Sequence, residues 1–308
     1  MKKDKILVIL GPTASGKSDL AVNLAKQFNG EVISADSRQV YKGLDIGSGK
    51  ITQEEMEGIP HYLLDVVKPQ TVFTVSKFQK LAQEKIKDIL KRGKLPIIAG
   101  GTGFYIQSIV DNTVFPKIKP DLKLRKHLEV QPPSKLWITL KELDPEKAQK
   151  IDPQNSRRLI RAIEIAQSQP LGGWTSKDSV DNSNKARWEA LQIGIKTDRD
   201  ILKERISRRF TARVKQGIVE EAKKLHEKGL TYERFSEIGL AYKYMVDYLK
   251  NTITKEEFIE ESIKSEQRYA KRQMTWFKRD KRIEWFSLKD QNEIKDTVLS
   301  FLMQQEQV

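Results

Sequence analysis

The sequence of 308 residues contains no cysteine. Without thiols the chain has no disulfide framework, no cysteine nucleophile and no zinc site built from cysteines. It also lacks any apolar run that approaches the roughly 20 residues needed to cross a bilayer. The basic start is followed by an apolar run that stops at Leu10, so we expect a core strand there and not an export signal. These absences fit the reducing cytoplasm, where we place the protein, and we expect no membrane partner.

Internal repeats and low-complexity tracts are absent too. Basic residues outnumber acidic residues. Lys and Arg total 56 against 42 Asp and Glu, which gives a formal net charge of +14. Such a balance makes an extended polyanion a plausible partner, although a merely basic, soluble surface remains the alternative. The length is enough for one large domain or two moderate ones.

A glycine-rich motif lies between an apolar run and a helical pattern near the N-terminus. Its spacing, G-x-x-x-x-G-K-[ST], lets backbone N–H groups and a helix N-terminus converge on phosphate oxygens. The lysine adds a positive charge, and the last hydroxyl can bind Mg²⁺, the one cofactor we expect. The predicted phosphate-binding residues are Gly11, Pro12, Thr13, Ala14, Ser15, Gly16, Lys17 and Ser18.

Apolar runs and helical patterns alternate along most of the chain. They predict strands at Ile6 to Leu10, Glu31 to Ala35, Leu95 to Ala99, Leu191 to Ile195 and Ile283 to Phe286, with a possible strand within Tyr62 to Val67. The alternation predicts an α/β fold: a P-loop-type parallel sheet with helices on both faces, plus a helical insertion. We expect a catalytic core of residues 1–114 and 186–308 and an insertion of residues 115–185, with a loop from Ser168 to Lys185.

Polar residues follow two of the predicted strands. Asp36 comes directly after the second strand, and the turn Gly100 to Gly103, which contains Thr102, follows the strand that ends at Ala99. The carboxyl ends of parallel strands share one sheet edge, where ligands bind. Asp36 is the one carboxylate at such a strand end, so it is either a metal ligand or a base, unless it only caps a helix.

A basic helix is predicted after Asn155. Arg157, Arg158 and Arg161 crowd one arc of it, and Glu164 is the single acidic neighbour. Phosphate groups of a ligand would offset the repulsion among the arginines. A solvated basic face is the alternative.

Five motifs together resemble those of the tRNA dimethylallyltransferases, also called tRNA isopentenyltransferases, of the bacterial type. The resemblance covers the chain from Ile6 to about Phe286, and the segment Glu237 to Tyr244 matches the family pattern only in part. The matching segments are Gly11 to Ser18, Asp36 to Tyr41, Gly100 to Tyr105, Asn155 to Glu164 and Ala270 to Arg279.

The resemblance implies transfer of a dimethylallyl group from dimethylallyl diphosphate to N6 of the adenine at position 37 of tRNA, beside the anticodon. It implies that Asp36 is the base, that Lys17 and Ser18 with Mg²⁺ stabilise the leaving diphosphate, and that Thr102 belongs to the catalytic set. Arg209 is a candidate to reach the diphosphate. The residues expected to contact the tRNA anticodon stem-loop are Asp36, Ser37, Arg38, Gln39, Thr102, Arg125, Arg157, Arg158, Arg161, Arg272 and Gln273.

Three other functions stay open from the sequence. An adenylate isopentenyltransferase would prenylate free AMP or ATP with the same chemistry, but it needs no long cationic track. A P-loop small-molecule kinase would bind ATP at the glycine-rich motif Gly11 to Ser18. In an RNA-binding module with a structural phosphate site, Asp36 would have no function. We expect the protein to be a monomer.

Overall fold

The computed structural model describes residues 3–168 and 186–304, and its centre is one parallel sheet. The strand order is β3-β2-β4-β1-β5-β6 in a 6-stranded sheet, and every neighbouring pair of strands is parallel. This confirms the predicted fold class. The strands are β1 Lys5–Leu10, β2 Gly30–Ser34, β3 His61–Tyr62, β4 Leu95–Gly100, β5 Glu189–Ile195 and β6 Ile283–Phe286.

Helices make up most of the remaining described chain, and side-chain caps define where many of them begin. Thr74, Asp198 and Thr254 each accept backbone N–H groups at the start of a long helix. Within residues 3–168 and 186–304, none of the helices has the length and apolar character of a bilayer span.

Numbered along the described chain, the helices are α1 Lys17–Gln27, α2 Gln53–Met56, α3 Val75–Lys91, α4 Gly103–Val110, α5 Leu122–Glu129, α6 Pro133–Leu143, α7 Pro145–Lys150, α8 Ser156–Gln167, α9 Arg199–Lys215, α10 Ile218–Glu227, α11 Tyr232–Ile238, α12 Ala241–Leu249, α13 Lys255–Phe277 and α14 Gln291–Met303.

The sheet is covered on both faces because side chains alternate along each strand. In β1, Leu7 and Ile9 belong to a buried cluster with residues of α1 and α14. Ile6 and Val8 belong to a larger cluster that includes Phe78 of α3 and residues of α9 to α13. Because apolar cores cover both faces of the sheet, the edge formed by the carboxyl ends of its strands is left for ligand binding.

The chain divides into two compact units, Met1–Val110 with Arg187–Val308, and Asp111–Ala186. The first unit contains the sheet. In the second, α5 to α8 pack around Leu136, Leu140 and Leu159.

The strand predicted within Tyr62 to Val67 is much shorter in the structure. β3 ends at Tyr62 because Leu63 and Asp65 have φ values of 63° and 53°, in the left-handed region, which a strand does not tolerate. Val67 instead forms an isolated parallel bridge with Tyr41. The loop predicted from Ser168 to Lys185 lies, apart from Ser168, outside the described residues.

Candidate active site

The carboxyl ends of β2 and β4 lie in direct backbone contact. The N–H of Thr102 donates to Ala35 O at 3.1 Å, and the N–H of Ser37 donates to Thr102 Oγ1 at 3.1 Å. A Cβ at Gly100 would lie 2.3 Å from Ala35 O, so only glycine permits this approach. The turn after β4 therefore supports the segment that carries Asp36.

The glycine-rich motif joins β1 to α1, as predicted. α1 begins at Lys17, and Gly16 before it has no side chain with which to cap the first amides of the helix. Lys17 Nζ donates to Pro12 O at 3.3 Å, which holds the lysine over the loop. Such a helix start, with a lysine beside it, suits an anion.

A pocket opens between this loop and the polar sheet edge, and we call it the central pocket. One part of its wall is apolar and comprises Ala21, Val32, Ile51, Ala99 and Leu240. The predicted site residues that line it are Thr13, Lys17, Ser18, Asp36, Arg38, Gln39, Arg209 and Gln273. The structure thus brings the predicted base, phosphate loop and Arg209 to one cavity.

The carboxylate of Asp36 is fixed by its own loop. Asp36 Oδ1 accepts the N–H of Arg38 at 2.8 Å and the N–H of Gln39 at 3.3 Å. This is the capping role that the sequence left open as an alternative, although Asp36 caps a turn and not a helix. Because Asp36 also lines the central pocket, the turn orients a carboxylate that faces a ligand site.

The electrostatics of the central pocket act on Lys17. Removal of water from its ammonium lowers the pKa of Lys17 to about 8, and nearby Arg209 acts in the same direction. The carboxylate of Asp36 opposes both by favouring the charged lysine. Lys17 is therefore a cation that a bound polyanion would stabilise further.

Two charged residues that we did not assign to the site lie in the pocket wall beside Arg209. Arg213 Nη2 donates to Glu266 Oε1 at 2.5 Å, and both side chains are more than nine-tenths buried. Arg209 and Arg213 are four residues apart in α9, a spacing that places both on one helix face. That spacing could have identified Arg213 from the sequence. Nothing in the sequence identifies Glu266 on α13 as a site residue, because its partner Arg213 is remote along the chain.

Gln273 connects the two glycine-rich turns. Its Oε1 accepts the N–H of Thr13 at 2.9 Å, and its Nε2 donates to Gly101 O at 2.8 Å. The residue is only 6% exposed. In the structure its amide holds the phosphate loop against the turn after β4. The expected contact of Gln273 with tRNA stays a prediction.

An aromatic residue that the sequence analysis missed lies at the pocket between two predicted tRNA ligands. Tyr269 lines the central pocket, with the guanidinium carbon of Arg38 5.1 Å and that of Arg272 5.7 Å from its ring centre. Burial raises the pKa of Tyr269, so the phenol stays neutral. Both guanidinium groups therefore lie at cation–π distance from the Tyr269 ring.

The predicted cations of the second unit separate into two kinds. Arg157 and Arg158 are exposed on α8. Arg125 and Arg161 instead bind the buried carboxylate of Glu164, Arg125 Nη2 at 2.8 Å from Oε2. Burial alone would raise the pKa of Glu164, but these hydrogen bonds lower it to about 2. Glu164, the single acidic neighbour expected from the sequence, is thus the partner of both arginines and offsets the repulsion at Arg161. Contact of Arg125 and Arg161 with tRNA stays a prediction.

Comparison with known proteins identifies the family of the chain. The chain is 44% identical over 308 residues to the tRNA dimethylallyltransferase of Thermoanaerobacter sp. (strain X514), with 97% of each chain covered. A crystal structure of the full-length tRNA isopentenylpyrophosphate transferase from Bacillus halodurans matches with a TM-score of 0.73 and 38% identity, covering 98% of this chain and 97% of the other. A eukaryotic dimethylallyltransferase acting on tRNA matches with a TM-score of 0.82 and 28% identity, covering 98% and 81%.

These matches confirm the resemblance that the five motifs indicated. The family model described as IPP transferase matches residues 39–280, which include Asp36's neighbours Gln39 and Val40, the turn after β4, and α13. The chain therefore belongs to the IPP transferase family.

Proposed function

We propose that this protein transfers a dimethylallyl group from dimethylallyl diphosphate to N6 of the adenine beside the anticodon of tRNA. The observation that carries the proposal is the central pocket, where a phosphate loop and the oriented carboxylate of Asp36 share one cavity with an apolar wall. Relatives named as tRNA dimethylallyltransferases match nearly the full length of the chain. A prenyl transferase of this kind needs all three features.

The reaction forms one bond and breaks one. N6 of adenine attacks the first carbon of the allyl group, the carbon–oxygen bond to diphosphate breaks, and the N6 proton passes to the carboxylate of Asp36. The adenine amine is a weak nucleophile because its lone pair is delocalised into the ring, so removal of the proton during attack helps the reaction. To reach the pocket, the base must leave the stack of the anticodon loop.

The leaving diphosphate would bind at the start of α1. Lys17 and Arg209 supply positive charge at this end of the central pocket. The first N–H groups of α1 have no side-chain cap and can donate to phosphate oxygens. The apolar wall formed by residues such as Val32 and Leu240 suits the five-carbon chain and excludes water from the developing allyl cation.

The donor set is compatible with Mg²⁺ held mainly by the substrate. Within the described ranges, no cluster of three or more His, Cys, Asp or Glu side chains forms a metal cage. The hydroxyl of Ser18 lines the pocket and would be a protein ligand, with phosphate oxygens and waters completing the shell. When bound, the ion would neutralise charge on the diphosphate.

Each of the two compact units offers exposed cations to an RNA. Arg272 beside Tyr269, and Arg157 and Arg158 on α8, are exposed and suit phosphate groups. A tRNA substrate also favours the cytoplasm as the place of reaction. The monomeric state stays a prediction.

The proposal is tested with the full chain, Mg²⁺ and dimethylallyl diphosphate in three parallel reactions. The acceptors are an anticodon stem-loop with adenine beside the anticodon, the same stem-loop with guanine there, and AMP. We expect mass spectrometry to find a prenyl group on the adenine stem-loop alone. Modification of AMP alone would establish the adenylate transferase. Hydrolysis of ATP in a separate reaction, without prenyl transfer in the other three, would favour the kinase.

A further inference from the structure

A carboxylate outside the central pocket holds a loop that forms part of its wall. Glu221, on α10, accepts the consecutive N–H groups of Asp45 at 2.9 Å, Ile46 at 2.7 Å and Gly47 at 2.9 Å. Glu221 Oε1 also accepts the hydroxyl of Tyr242 at 3.2 Å. Burial raises the pKa of Tyr242 well above its ordinary value, so the phenol keeps its proton and stays a donor.

The opposite side of the same loop binds the arginines of α9. Gly47 O accepts Arg213 Nη1 at 3.1 Å, and Gly49 O accepts Arg209 Nη2 at 2.8 Å. A Cβ at Gly47 would lie 2.1 Å from the Tyr242 hydroxyl, which shows how closely the loop is packed. Gly47, Arg209 and Arg213 all line the central pocket.

The chemistry of the contact requires an anion. Consecutive backbone N–H groups that converge on one point form an anion-binding nest, and each gains strength from a charged acceptor. An amide at position 221 would place an NH₂ donor against the N–H groups of Ile46 or Gly47, because only one of its two polar atoms accepts.

We infer that Glu221 is a positioning residue for prenyl transfer. Through the loop Leu44 to Lys50 it sets the guanidinium groups of Arg209 and Arg213 at the phosphate end of the central pocket. The inference rests on the proposed function, because it takes diphosphate as the group that these arginines meet.

The test compares Glu221→Gln with Glu220→Gln in the full chain. Glu220 is the exposed neighbour in the same first turn of α10, so its variant controls for loss of one charge at that helix start. The measurements are the affinity for inorganic pyrophosphate by calorimetry, KM for dimethylallyl diphosphate, KM for the stem-loop, and thermal unfolding.

We expect Glu221→Gln to weaken pyrophosphate binding and to raise KM for dimethylallyl diphosphate by about tenfold, the size of one lost charge-assisted hydrogen bond. KM for the stem-loop should stay within about twofold, and Glu220→Gln should match the wild type. A merely structural role would change Tm without separating the two KM values.

A double variant tests the route through Arg209. If Glu221 acts through that arginine, Glu221→Gln should add less than about twofold in an Arg209→Ala background, since interacting residues are not additive. Should Glu221→Gln fail to fold, Tyr242→Phe removes one hydrogen bond from Glu221 and should raise the pyrophosphate Kd by a few fold.

The possible outcomes separate this inference from the proposed function. Unchanged pyrophosphate affinity in folded Glu221→Gln, or in Tyr242→Phe where only that variant folds, overturns the inference even if the wild type transfers prenyl groups. Fully additive effects of Glu221→Gln and Arg209→Ala overturn it as well. A wild type whose pyrophosphate affinity depends on Glu221 but which prenylates no RNA overturns the proposed function alone.

Discussion

Asp36→Asn is the substitution that most directly tests the proposed base. Asparagine keeps a side-chain oxygen that can accept the N–H groups of Arg38 and Gln39, as Asp36 Oδ1 does at 2.8 and 3.3 Å. The variant therefore removes the proton acceptor while preserving the turn. Asp36→Ala would remove both, and lost activity in it would have two explanations.

The structure sets the expected magnitudes. A general base contributes about 10²- to 10⁴-fold to a rate, which corresponds to roughly 3 to 5 kcal/mol of activation free energy. The two retained hydrogen bonds keep the change in unfolding free energy of Asp36→Asn below about 1 kcal/mol, whereas their loss in Asp36→Ala costs about 1 to 3 kcal/mol.

The assay is single-turnover prenyl transfer to the adenine stem-loop, with Tm and pyrophosphate affinity measured on the same samples. Asp36 also favours the charged form of Lys17, and the affinity measurement detects any loss of that support. Asp198→Asn is the matched control, because Asp198 Oδ1 accepts two backbone N–H groups at the same 2.8 and 3.3 Å, at the start of α9. A transfer rate for Asp36→Asn within tenfold of the wild type would refute the role of Asp36 as base.

Three further predictions concern other parts of the site and the sheet. Gln273→Ala should lower the unfolding free energy by about 2 to 4 kcal/mol, since it leaves two backbone groups unpaired, and should weaken pyrophosphate binding measured by calorimetry. The value of kcat/KM for dimethylallyl diphosphate should fall above pH about 8, where free Lys17 loses its charge, and a flat profile to pH about 10 would contradict this. Hydrogen bonds from Arg92 lower the pKa of Glu31 from 4.5 to about 2, so this carboxylate stabilises the fold above pH 4.5; the Tm difference between wild type and Glu31→Gln should shrink as the pH falls toward 2.

The sequence was sufficient for the features that depend on neighbouring residues. The phosphate loop, Asp36 after β2 and the glycine turn after β4 are local patterns, because strand, turn and helix must follow one another for the backbone to approach a phosphate. β1 and β6 were predicted for the same reason, from short apolar runs between polar segments. The strand predicted within Tyr62 to Val67 was too long, because a leucine at position 63 does not indicate a left-handed φ.

The remaining part of the site joins segments that are remote in sequence. Gly49 meets Arg209 across 160 positions, Gly47 meets Arg213 across 166, and Asp45 meets Glu221 across 176. The residue types involved are common on any charged helix, so their pattern along the chain is indistinguishable from that of solvated positions. Only the fold shows that a carboxylate of α10 and the arginines of α9 bind opposite sides of one loop. A local motif therefore identifies which chemistry the central pocket can perform, whereas the geometry that makes this chemistry efficient is set by residues that no spacing rule selects.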